Sequence, residues 1–222
     1  CKGEKMKITI TDVARKANVS VATVSRAINT PEKVSETTLK CVRKVIKELN
    51  YTPNNIARSL VKKETKTIGV IVPDINNLFF PAVVRGIQDA AALAGYQAFF
   101  CSTDNDIDEE KRYIKSLIEK RVDAFIIMGS RTINPKDSEH IVELSEEHPT
   151  VLINDYIMGS NVYSVLTDEV EGAYKAVRHL ISLGHKDIYH ITVEQNFTTF
   201  VNKNQGYAIA LEEFGIGYDE EK

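Results

Sequence analysis

The apolar positions follow two regimes along the chain. Up to Asn50 they recur with a period near that of a helix, and from Thr67 they come in short, nearly continuous runs. In the first regime Ile10, Val13, Ala14 and Ala17 share one face, which predicts a helix starting near Ile10. Thr9 with Asp12 three residues on resembles a capping box, with Asp in place of the usual Glu or Gln. Asn18-Val19 makes a tight turn and Ser20 can cap a second helix. There Val24, Ala27 and Ile28 point inward, leaving Val21, Ala22, Ser25, Arg26 and Asn29 outside. Pro31 breaks the loop NTPEKV. Ser35 then caps a third helix, ETTLKCVRKVIKELN, whose stripe Leu39, Val42, Val45, Ile46 and Leu49 closes a core over the first two.

In the second regime TIGVIVP, YQAFFC, DAFIIM and TVLIND read as strands buried on both faces. Helical patterns over 80–94, 107–120 and 136–147 lie between them. A helix over 170–183, a strand over 187–192 and a helix near 203–214 continue the alternation. Strand and helix in turn predict a parallel sheet covered on both sides. Joining the two regimes is NYTPNNIARSLVKKETK. Pro53 ends the preceding structure, because the residue before a proline is pushed out of the helical region. NIARSLV can then make one or two helical turns, too few to be stable alone in water. Ala57 and Leu60 share one face of it, suited to wedging between base steps in a minor groove; a plain linker is the simpler reading.

Charge changes sign where the period changes. Residues 1–62 hold 13 Lys and Arg against 5 Asp and Glu, a balance of +8, while residues 63–222 hold 15 against 26, a balance of −11. A basic segment on an acidic body is the footprint of a nucleic-acid-binding module. On its own the 9–29 stretch fits either a helix-turn-helix or an ordinary amphipathic hairpin. Its coincidence with the basic segment favours the former. A helix-turn-helix sets the start of its second helix in the DNA major groove. The small side chains Val21 and Ala22 then allow close approach, and Arg26 reaches a guanine edge. Lys40, Arg43, Lys44 and Lys47 on the third helix are available for phosphates or simply solvated.

In the body, ligands of parallel sheets bind beyond the carboxyl ends of the strands. Those ends fall at 74–80, 102–106, 129–134 and 154–158. Aromatic Phe79 and Phe80, with Asp74, Asn76, Asp104, Asp155 and Tyr156, suit a polyhydroxylated or heterocyclic ligand; the two phenylalanines suit a core or interface position equally well. Enzyme signatures are missing: there is no G-x-S-x-G, no G-x-x-x-x-G-K-[ST] and no G-x-G-x-x-G. His179, His185, His190 and Asp187 lack metal-ligand spacing. No catalytic residue, metal site or cofactor is therefore assigned. Cys1, Cys41 and Cys101 show no pairing pattern, which fits a reducing cytoplasm. The N-terminus has no signal-peptide pattern, no apolar run is long enough to span a membrane, and Met6 reads as the natural start. The expected location is the cytoplasm, at the nucleoid.

The stretches TITDVARKANVSVATVSRAIN and VSETTLKCVRKVIKELNYTPNNIARSLVKKETKTIGVIVPDINNLFF closely resemble the lactose/galactose repressor (LacI/GalR) family. The likeness extends more loosely through DEVEGA, LGHKDI and GYAIALEE, and VSVATVSR resembles the recognition helix of the family's catabolite control proteins. The resemblance implies an all-α helix-turn-helix headpiece over 6–52 and a hinge helix and linker over 53–66. It also implies a periplasmic-binding-protein-like α/β body, with a first lobe over 67–168 and a partial second lobe over 169–222. It implies a homodimer, in some members a tetramer, that binds a palindromic double-stranded operator as a repressor.

Carried over by position, Val21, Ala22 and Arg26 read bases. Ser20, Thr23, Ser25, Asn29, Tyr51 and Asn54 touch the DNA backbone, and Ala57 and Leu60 form the minor-groove hinge. Phe79, Phe80, Asp155, Tyr156, Asp168, Thr199 and Lys203 fall at effector-cleft positions. The implied signal is a sugar or sugar phosphate, or a phosphorylated carrier protein. Lys203 stands where effector-binding members usually have arginine, so a planar two-pronged grip is lost. Members of the family run on well past Lys222, so the chain reads as a fragment with an incomplete second lobe. The rival reading is a sugar-binding protein of the same body fold, against which stands the basic head.

Overall fold

A computed structural model of the chain describes residues 8–52, 64–159, 161–193 and 197–218. They belong to two compact units, residues 1–63 and 64–222. The segment carrying Asn54, Ala57 and Leu60 lies outside the described residues.

The first unit holds α1 (Ile10–Ala17), α2 (Val21–Asn29), a 3-10 turn (Pro31–Lys33) and α3 (Glu36–Glu48). Each start has a polar cap. Thr9 accepts from Asp12 N while the Asp12 carboxylate takes the Thr9 N–H at 2.9 Å, a complete capping box. Ser20 accepts from Thr23 N at 3.1 Å and Ser35 from Thr38 N at 3.3 Å. Asn18 ends α1 at φ +53°, a left-handed conformation that asparagine tolerates better than most residues. Val13, Val24 and Val42, one from each helix, are fully buried and meet in one core. Ile10, Ile28, Leu39 and Leu49 pack around it.

The second unit is built on a five-stranded, wholly parallel sheet. Its strands are β1 (Thr67–Val72), β2 (Gln97–Ser102), β3 (Ala124–Met128), β4 (Thr150–Ile153) and β5 (Val162–Val165), in the order β2-β1-β3-β4-β5. The crossovers are α4 (Phe79–Leu93), α5 (Ile107–Glu119) and α6 (Glu139–Glu147), the last entered through a 3-10 turn at Pro135–Ser138. Alternate strand residues serve opposite faces. Ile71, Phe125, Ile127 and Leu152 join Ile114 and Leu117 of α5 and Ile141 and Leu144 of α6. Val70, Val72 and Met128 face the other way, onto Phe80 of α4. Beyond the sheet, α7 (Glu169–Ser182) and α8 (Thr198–Glu213) pair around Val177, Tyr207, Ala210 and Leu211. Gly206 sets their closeness: a Cβ there would meet the Val170 carbonyl oxygen at 2.1 Å.

Three details depart from the expectations. The segment expected as a strand over 187–192 is not one: it adopts no regular secondary structure and is not among the five strands of the sheet. β5 forms instead by pairing with β4, although VYSV lacks the length and apolar run of a strand signal. β2 is not buried on both faces. It is an edge strand, and Phe99 and Phe100, on opposite sides of it, stay 41% and 40% exposed. No helix among the described residues is long and apolar enough to cross a membrane.

Candidate functional site

The first candidate surface is the start of α2. Ser20, Val21, Ala22 and Arg26 are exposed there. Thr23, Ser25 and Asn29 are half-buried along its flank. Ser20 and Thr23 share a hydroxyl contact of 2.9 Å, and Asn29 Nδ2 donates to Ser25 Oγ at 3.3 Å. This leaves Val21, Ala22 and Arg26 as a projecting tip, with no side-chain hydrogen bond or ion pair among the described residues. Tyr51 is half-buried and packs on the three-helix core. Lys40, Arg43, Lys44 and Lys47 are all exposed on α3. Lys40 is paired with Glu36 at 2.7 Å.

The second candidate lies at the carboxyl ends of β3 and β4. Gly129 follows β3 at φ +104°, where a Cβ would strike the Pro73 ring at 2.5 Å. Ser130 and Arg131 come next. Arg131 Nη2 donates to Glu110 Oε2 at 2.7 Å, and His140 Nε2 lies 2.6 Å from Glu110 Oε1. Arg131 Nε stands 3.7 Å from Asp155 Oδ2, an ion pair too long for a hydrogen bond. These side chains are all nearly buried, at 3–11% exposure. Burial pushes the Glu110 carboxyl up, but the bonds from His140 and Arg131 outweigh it and hold the group below its ordinary value. At Asp155 burial wins. The Tyr156 N–H and the Arg131 charge offset it only in part, and the carboxyl lies above its ordinary value.

This knot also receives the start of α8. Thr198 N donates to Arg131 O at 2.9 Å and Thr199 N to Ser130 Oγ at 2.9 Å. The Thr198 hydroxyl sits 2.7 Å from Ser130 Oγ and 3.3 Å from Asp155 Oδ1. Orphan amides at a helix start are thus satisfied by the segment that follows β3. Two clefts flank the knot. One, of about 590 Å³, is walled by Arg131, Asn134, Glu139, Glu143, Asp155 and Tyr156 among others. The other, of about 370 Å³, shares Arg131 and Thr132 and reaches Asp106, Glu110 and Asp137.

Of the expected effector residues, Asp155 and Tyr156 line the larger cleft. Thr199 is tied to Ser130 beside it. Phe80 is core, buried against Val70, Val72 and Met128, while Phe79 meets it edge-on at 5.3 Å and is about half exposed. Asp168 caps α7 through Glu171 N at 2.9 Å. Lys203 lies across the α7–α8 pair, 3.4 Å from Glu169 and over the Phe200 ring at 5.7 Å. His190 stacks on Tyr207 at 5.2 Å. Sequence reasoning singled out neither Arg131 nor Glu110 nor His140. A signal existed for Glu110: it shares the helical face of Ile107, Ile114 and Leu117, an acid on an apolar stripe.

Comparison with known proteins places this architecture. Residues 9–54 match the profile of bacterial regulatory proteins of the lacI family, and residues 65–222 that of periplasmic binding proteins and the sugar binding domain of the LacI family. The chain belongs to the LacI family. It is 42% identical over 217 residues to the HTH-type transcriptional regulator RegA of Clostridium saccharobutylicum, a match covering 97% of this chain and 64% of that protein. It is 38% identical over 214 residues to catabolite control protein A of Priestia megaterium, covering 95% and 63%. A lac repressor dimer bound to operator and the anti-inducer ONPF superposes with a TM-score of 0.81 at 24% identity, covering 95% of this chain and 63% of that one, and shows the shared fold. The chain thus spans under two thirds of the length of these relatives. The relatives are named as regulators, not enzymes.

Proposed function

We propose that the chain belongs to a transcriptional repressor of carbohydrate or related metabolic genes, which binds a palindromic operator as a homodimer. The observation that carries this reading is the exposed tip of α2, with Val21, Ala22 and Arg26 standing clear on a three-helix unit of net positive charge. In this reading those three side chains contact bases. Ser20, Thr23, Ser25, Asn29 and Tyr51 hold the phosphate backbone, together with Asn54. Ala57 and Leu60 wedge into the minor groove.

The edge strand β2 with Phe99 and Phe100, and the exposed Leu93 at the end of α4, give apolar surface for a second copy to cover. In the body a sugar or sugar phosphate, or a phosphorylated carrier protein, shifts the lobes. Operator affinity then changes by the ligand's differential affinity for the two states. The family description of a sugar binding domain supports the first of these signals. Phe79, Asp155, Tyr156, Asp168, Thr199 and Lys203 surround the signal in this reading, with Phe80 beneath them.

Selection from a random duplex library tests the core of the proposal. The full chain is expected to enrich one two-fold symmetric sequence, and a chain lacking residues 1–63 to enrich none. Enrichment of nothing, or equal retention by the shortened chain, overturns it.

A further inference from the structure

The second unit begins at Glu64, shortly after Leu60 in the chain, and one carboxylate grips its first backbone groups. Asp123 Oδ1 accepts from Thr65 N at 2.8 Å and Oδ2 from Lys66 N at 2.8 Å. The Thr65 hydroxyl lies 2.9 Å from Asp123 Oδ1 and 2.9 Å from the Arg121 carbonyl oxygen. Lys66 O accepts from Gln97 N at 2.9 Å. The Lys66 ammonium stands 3.2 Å from the Tyr96 hydroxyl, 4.4 Å from the centre of that ring and 3.3 Å from Glu64. Asp123 is itself fixed, because its N–H donates to Thr67 O at 2.8 Å. The entry to β1 is thus tied to the heads of both its neighbours, β2 and β3. Lys66 takes φ +57°, a left-handed conformation that a lysine keeps only where its surroundings impose it. The two N–H groups held by Asp123 lie just ahead of that bend, so the carboxylate fixes the direction in which the chain arrives at the sheet.

We propose that Asp123 is a positioning residue for operator binding. By clamping Thr65 and Lys66 to the inner strands of the sheet, it fixes where the preceding segment leaves each body, and so the half-site spacing that a homodimer accepts. Half-site separation on DNA mirrors the geometry of a two-fold dimer. A connection loose at its root averages over several separations, whereas one rooted in hydrogen bonds to a charged acceptor holds a single one. The same root passes any movement of the sheet to the connection without slack. This role rests on the reading of the chain as a dimeric operator-binding repressor, and deepens it by naming the side chain that sets the spacing.

Gel-shift titration of the full chain tests this on the operator it selects and on the same operator with one base pair inserted or removed at its centre. Each change moves the half-sites by about 3.4 Å and about a tenth of a turn. The wild type is expected to bind the selected spacing about tenfold or more tightly than either altered one. In Asp123→Ala that ratio should fall towards one, because affinity drops at the selected spacing and not at the others. Asp123→Asn keeps one acceptor oxygen and should fall part of the way; it decides the matter if the alanine variant does not fold. The ranking of base pairs within a half-site should stay that of the wild type. A carboxylate that only capped the sheet would lower the melting temperature of the body and leave the spacing ratio unmoved. The proposal is overturned if a folded variant keeps the wild-type ratio, whatever happens to overall affinity, or if the wild type accepts all three spacings equally. A wild type that selects no two-fold symmetric site overturns the repressor reading and the role of Asp123 with it, whereas one that selects such a site while its variants keep the ratio overturns the role of Asp123 alone.

Discussion

In the proposed function Arg26 is the side chain on which operator preference turns. It is exposed, one turn beyond the small tip of Val21 and Ala22, and can present two donors to a guanine. Arg26→Ala is expected to cost about 1–3 kcal/mol on the preferred operator and little on random duplex. Fluorescence anisotropy on both DNAs measures it; equal losses would make Arg26 a phosphate contact.

In the body the two buried acids respond to pH with opposite signs. Glu110 titrates below its ordinary value when folded, so its contribution to stability is present above that value and lost as pH falls through the lowered one. Asp155 titrates above its ordinary value, so its contribution is present in acid and lost as pH rises through the raised one. Asp155→Asn keeps an oxygen for the Tyr156 N–H and the Thr198 hydroxyl and removes the charge. Thermal unfolding should therefore show this variant gaining on wild type from acid to neutral pH, and a constant gap would refute the assignment. Glu110→Ala leaves Arg131 and His140 buried without their shared acceptor, at a cost of about 3–5 kcal/mol in neutral-pH denaturation. A loss in the range of an exposed pair would place Glu110 at the surface.

At the scale of the elements, stability rests on local caps and close crossings. Ser35→Ala removes the acceptor for Thr38 N at the head of α3 and should lower headpiece stability by about 0.5–2 kcal/mol. The transition of the body should not move; calorimetric scanning separates the two. Gly206→Ala forces a methyl group against the Val170 carbonyl and should cost about 1–3 kcal/mol. That loss belongs to the α7–α8 pair, and an unchanged midpoint would mean that the crossing is wider than 2.1 Å implies. The elements also show where periodicity suffices. α1, α2 and α3 were legible because capping box, Ser caps and apolar stripe all lie within each element. β5 was not, because VYSV becomes a strand only by hydrogen bonding to β4. The segment over 187–192 erred in the opposite sense: it has strand composition but adopts no regular secondary structure.

For the whole molecule the governing quantity is charge segregation. A +8 segment on a −11 remainder should bind DNA with strongly salt-dependent affinity, the logarithm of the constant falling linearly with that of salt by about 0.9 per phosphate neutralised. A flat dependence would remove DNA from the reading. At the same scale the sequence already determined two units, the helix-turn-helix and the parallel sheet, because these follow from periodicity, caps and charge carried within short stretches, while the family followed from the resemblance of particular motifs. It also pointed to Asp155, which lies at a strand end. Only the tertiary structure decided what Asp155 meets. Arg131 lies 21 residues from Glu110 and Glu110 lies 30 from His140, and Thr198 comes 43 residues after Asp155. Pairings at such separations depend on how the sheet orders its strands, and no local pattern encodes them. The apolar stripe around Glu110 marks it as inward-facing, but only the fold places a guanidinium against it and excludes the water.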